Sequence, residues 1–129
     1  MALELAILGW AGVLAVVQLV LMAVPANLQL GSAYLVTARD EQRQLSGVPA
    51  RLKRAYDNHI EGLVMFAVAA LVVSVSGRST GFTQGCAVAY LAARVVYIPL
   101  YAYGIPYVRS AVWAVGFFAT LLMLLAVLL

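Results

Sequence analysis

The chain has 129 residues, of which 65% are hydrophobic and only 10% charged, against about 25% charged in an average soluble domain. Such a composition excludes an ordinary water-facing fold and makes lipid the solvent, in which helices satisfy their own backbone groups. The net charge of +3 does not point to nucleic acid, because most basic residues lie in one loop between apolar runs. The single cysteine, Cys86, can form no intrachain disulfide and reads as a small packing residue.

In chain order, Leu5 to Ala38 carries no charge, more than the roughly 20 apolar residues a span requires, so a long first helix is expected. A cleaved signal peptide is the competing reading, but Met1-Ala2-Leu3-Glu4 lacks a basic n-region. Pro25, with Asn27 and Gln29 after it, is expected to mark a kink or a polar turn facing a neighbour. Thr37 to Pro49 then reads as a loop that contains Arg39, Asp40, Glu41 and Arg43 and ends in Ser46-Gly47-Val48-Pro49. Arg51, Lys53 and Arg54 add to its basic excess, so residues 37–50 are expected in the cytoplasm, at the inner membrane if the source is bacterial.

A second helix is expected from about Ala50 through Val75, a short turn over Ser76 to Gly81, and a third helix from roughly Phe82 to Tyr103. Gly104 to Tyr107 is a tight connection, and Arg109-Ser110 lead into a fourth uncharged run to Leu129. The fold class is therefore an all-α membrane protein, a four-transmembrane-helix bundle, with residues 1–129 forming a single domain.

Two polar faces stand out. On the second helix Arg54, Asn58 and Glu61 follow helical spacing and share one stripe, with Arg51 a turn earlier. On the third, Tyr90, Arg94, Tyr97 and Tyr101 share another, although an aromatic belt at the membrane interface explains the tyrosines alone equally well. Ionised and amide side chains are expensive in a bilayer and normally turn toward protein or a wet cavity. By topology Arg51, Arg54, Arg94 and Arg109 reach the same side and can surround one pocket. His59 lies off the stripe and reads as packing. The chain lacks a phosphate-binding loop, a dinucleotide fingerprint and a multi-histidine or paired-cysteine metal pattern. Converging arginines, tyrosines and amides suit a small ligand bearing carboxylates and an amine.

These residues, Arg54-Ala55-x-x-Asn58-x-x-Glu61, Arg94-Val95-x-Tyr97 with Tyr101, and Arg109-Ser110, resemble the MAPEG family, the membrane-associated proteins in eicosanoid and glutathione metabolism. The resemblance implies a homotrimer with glutathione as co-substrate, bound between subunits near the cytoplasmic face. It implies that Arg54, Asn58, Glu61, Arg94, Tyr97 and Tyr101 hold glutathione, with Glu61 on its amino group. It implies that Arg109 activates the thiol, assisted by Ser110; alternatively the Ser110 hydroxyl satisfies amides at a helix start. The expected activity is a glutathione-dependent transferase or peroxidase acting on lipophilic electrophiles or lipid hydroperoxides. Two alternatives remain: a non-enzymatic lipid-binding or scaffold member, since the first helix offers Gln18, Asn27 and Gln29 but no arginine, and a small transporter built around Glu61.

Overall fold

The computed structural model describes residues 1–31 and 46–129, so Arg39, Asp40, Glu41 and Arg43 lie outside the described residues. These contain four helices in order, α1 (Leu3–Leu30), α2 (Gly47–Val75), α3 (Gly81–Ala102) and α4 (Pro106–Leu128). Each is long and apolar enough to cross a membrane. The protein is an integral membrane bundle.

Its polarity is that of a protein dissolved in lipid. Large apolar side chains such as Trp10, Val64, Val68, Phe118 and Leu128 point outward, while small ones fill the helix interfaces: Ala11, Ala55, Ala69, Ala70 and Ala87 are fully buried. Association between helices in a membrane gains little from the hydrophobic effect. Small interfacial residues let the backbones approach closely enough for van der Waals packing to hold them. The core also takes in larger side chains, among them Phe66, Val73, Tyr90 and Met123, with Phe66 stacked flat on Tyr90 at 4.1 Å between centroids.

The helices end where glycine permits. At the end of α3, Gly104 adopts φ +70; its amide donates to the Tyr101 carbonyl and that of Ile105 to the Leu100 carbonyl, which makes a Schellman motif. Arg51 Nη1 donates to the Ala102 carbonyl of the same turn at 3.1 Å, so this arginine is occupied as a helix cap. Gly77, with φ +68, closes α2 in the same way.

One boundary is revised, and the polar and proline positions take definite places. The second helix begins at Gly47 rather than Ala50, because Pro49 falls in its first turn, where a missing amide hydrogen breaks no helical bond. Pro25 and Asn27 lie inside α1, where the Asn27 amide donates to the Ala23 carbonyl, and Gln29 reaches a neighbour, exchanging two hydrogen bonds with the Ser46 backbone. Pro99 lies within α3, which continues to Ala102, close to the expected end at Tyr103. His59 is fully buried, its Nε2 donating to the Ala11 carbonyl at 3.0 Å, and so fastens α2 to α1 as a packing residue.

Candidate functional site

At the end of the bundle where α2 and α4 begin and α3 finishes, a polar chamber of about 270 Å³ is lined by Arg54, Asn58, Tyr97, Tyr101, Arg109, Ser110 and Trp113. Helical spacing explains the assembly. Arg54 and Asn58 are one turn apart on α2, Tyr97 and Tyr101 one turn apart on α3, and Arg109, Ser110 and Trp113 occupy the first turns of α4.

Tyr101 organises the cations. Arg54 Nε donates to its hydroxyl at 3.2 Å, and the Arg109 guanidinium sits 4.5 Å from its ring centroid. Two like charges held against one aromatic ring, with no acidic side chain in the lining, make a positive concavity suited to an anion. Ser110 donates its hydroxyl to the Pro106 carbonyl at 3.3 Å, the one-turn back-bond of helical serines, rather than satisfying amides at the helix start.

Deeper in the bundle Arg94 is 4% exposed. Its Nη1 donates to Asn58 Oδ1 at 2.9 Å and its guanidinium lies 4.6 Å from the Tyr97 ring centroid, while Nε and Nη2 have no hydrogen-bond partner among the described residues. Arg94 lines a second space, an apolar groove of about 320 Å³ between α2 and α4, together with Glu61, Gly62, Met65, Tyr90, Phe117 and Leu124. Asn58 and Trp113 line both spaces. The chamber and the groove therefore meet at these two side chains, with Arg94 bonded across the junction.

A family model described as MAPEG family matches residues 7–129. The chain belongs to the MAPEG family. Searches of curated proteins and of solved structures returned no match. In this MAPEG protein six of the eight residues singled out from sequence for thiol binding or activation, Arg54, Asn58, Tyr97, Tyr101, Arg109 and Ser110, converge on the chamber. Arg94 joins them through Asn58, whereas Glu61 opens onto the groove. Arg51, at its cap, does not take part. Sequence reasoning did not single out Trp113, which stands one turn beyond Arg109 on α4, where helical periodicity alone would have brought it to the same face. No cluster able to hold a metal ion occurs among the described residues.

Proposed function

We propose that this MAPEG protein is a glutathione-dependent transferase or peroxidase acting on lipophilic electrophiles or lipid hydroperoxides at the edge of the bilayer. The observation that carries the reading is the junction itself: a cationic, aromatic chamber that opens, through Asn58 and Trp113, onto an apolar groove. Glutathione carries two carboxylates and an ammonium, and guanidinium forks bind carboxylates in pairs. Arg54 would hold a carboxylate, and Asn58 with Tyr97 and Tyr101 would orient the peptide backbone.

The thiol, with a reference pKa near 8.5, is mostly protonated at neutral pH. A guanidinium beside it favours the thiolate, which is the nucleophile. Arg109 would be that cation, a reading supported by its half-buried position against the Tyr101 ring. The groove would present the lipophilic partner to the sulfur.

A chamber of about 270 Å³ lies just below the usual range of ligand pockets, about 300–1,000 Å³. This supports a homotrimer in which a neighbouring subunit completes the thiol site and Glu61 meets the ligand's amino group from the groove side. The site end also carries Arg51, Lys53, Arg54 and Arg109 against Arg78 at the other, which supports a cytoplasmic chamber.

The test is the ultraviolet absorbance of the thiolate on adding glutathione to purified protein. Wild type is expected to give a saturable signal that Arg109→Ala loses. Arg54→Ala is expected to weaken glutathione affinity by about 10- to 100-fold, the worth of one charge-assisted hydrogen bond. An absent wild-type signal, or an unchanged one in Arg109→Ala, sinks the mechanism.

A further inference from the structure

Tyr90 belongs to the polar face of α3 but not to the chamber. Its side chain is 2% exposed, and its hydroxyl has no hydrogen-bond partner among the described residues. The ring is held in a slot. Phe66 covers one face at 4.1 Å, and glycines flank it on two helices: a Cβ on Gly62 would stand 3.5 Å from the hydroxyl oxygen, and one on Gly116 3.6 Å from Cδ2. Gly62, Gly116 and Tyr90 all line the apolar groove, as does Arg94 one turn further along the same face of α3, whose Nε and Nη2 are also unpaired among the described residues. Burying a hydroxyl with no partner opposes folding, so a group held this way calls for a reason. Here a phenol and a guanidinium, both enclosed and both with unpaired donors, border the same apolar space.

We infer that Tyr90 is a catalytic residue for oxygen-bearing electrophiles, donating its hydroxyl hydrogen to the reacting oxygen of a lipophilic co-substrate in the groove. The inference rests on the thiol-dependent activity proposed above and sorts its substrates: hydroperoxides are favoured over aryl halides. With a hydroperoxide, the thiolate sulfur bonds to the distal oxygen and the O–O bond breaks. The electron pair stays on the leaving alkoxide, which takes the Tyr90 proton and departs as the alcohol. The sulfenic acid condenses with a second glutathione to give the disulfide and water, and solvent reprotonates Tyr90. Two thiols are oxidised and one peroxide is reduced. An aryl halide loses halide, which needs no proton, so Tyr90 has nothing to contribute.

The experiment compares cumene hydroperoxide with 1-chloro-2,4-dinitrobenzene in wild type and Tyr90→Phe, a change that keeps the ring stacked on Phe66. The ratio of hydroperoxide to halide kcat/KM is expected to fall about 100-fold or more, at the low end of general-acid contributions. Binding is read separately in a Trp10→Phe background, where Trp113 is the remaining tryptophan and lines the groove. Cumyl alcohol is expected to quench it with several-fold weaker affinity in Tyr90→Phe. Gly62→Ala, which sets a methyl against the hydroxyl, is expected to lower the same ratio. An unchanged ratio together with unchanged alcohol affinity overturns the role of Tyr90. A wild type that turns over neither substrate overturns the thiol-dependent reading, and the alcohol titration then still decides whether Tyr90 holds an oxygen ligand.

Discussion

The pair formed by Arg94 and Asn58 decides much of the bundle's interior. Arg94 is nearly enclosed, and its one hydrogen bond among the described residues runs to Asn58 Oδ1. Removing the Asn58 acceptor leaves a buried guanidinium N–H unsatisfied, whereas replacing both partners by apolar groups of similar shape is often nearly neutral. Asn58→Leu is therefore expected to destabilise the folded protein by about 2–3 kcal/mol, and Asn58→Leu combined with Arg94→Met to recover most of that loss. Thermal unfolding in detergent checks both, and equal losses in the single and double variants would show that the hydrogen bond does not hold Arg94. At this scale the sequence showed the helical stripes but not their division of labour. Tyr90, Tyr97 and Tyr101 share one face by spacing, yet Tyr97 and Tyr101 meet the chamber while Tyr90 meets the groove. That division depends on which neighbour stands opposite each turn, a tertiary fact that periodicity along one helix does not contain.

The helices themselves were legible, because a run of some 20 apolar residues in a charge-poor chain has few alternatives. Their ends were legible where glycine marks them, at Gly77 and Gly104, and misread at Pro49, where a residue that breaks helix interiors is tolerated in a first turn. The connection between α3 and α4 shows how an element end can position a site. Arg51 caps the Ala102 carbonyl from α2 and packs beside Gly104, three residues before Arg54 takes the Tyr101 hydroxyl. Two contacts thus tie the first turns of α2 to the last turns of α3. Gly104→Ala would force φ +70 on a residue with a Cβ, at a cost of about 1–2 kcal/mol, and would set that Cβ 3.6 Å from Arg51 Nε. Unfolding midpoints are expected to fall accordingly. Arg51→Ala is expected to cost about 1 kcal/mol through the lost cap, and a midpoint unchanged in both variants would show that this corner bears no strain and holds nothing in place.

Taken whole, the bundle has two polar ends of different character. At the chamber end, guanidinium and phenol groups face an accessible space. At the opposite end the polar groups are turned on each other: Glu4, fully buried, accepts from Ser79 Oγ at 2.8 Å and Thr83 Oγ1 at 2.7 Å, and Gln84 donates to Ser79 at 3.2 Å. The carboxylate also lies at the start of α3, where helix amides favour negative charge. Arg78 Nη1 donates to the Val127 carbonyl at 2.7 Å and so fastens the last turn of α4. A charged residue at the start of an apolar run looked incidental in the sequence, because its partners lie 75 and 79 residues away. The contrast gives a test of whether stability and chemistry are separable along the membrane normal. Glu4→Ala removes an acceptor from two hydroxyls, but Thr83 can turn to the Thr80 carbonyl 3.0 Å away, so the expected loss is about 1–2 kcal/mol. Glu4→Gln keeps an acceptor oxygen and is expected to lose less. Both variants, once folded, should give the wild-type thiolate signal with glutathione, since Glu4 touches neither chamber nor groove. If folded Glu4→Ala lost that signal, the two ends would be coupled through α1 and α3, and the chamber would depend on how tightly the far end is closed.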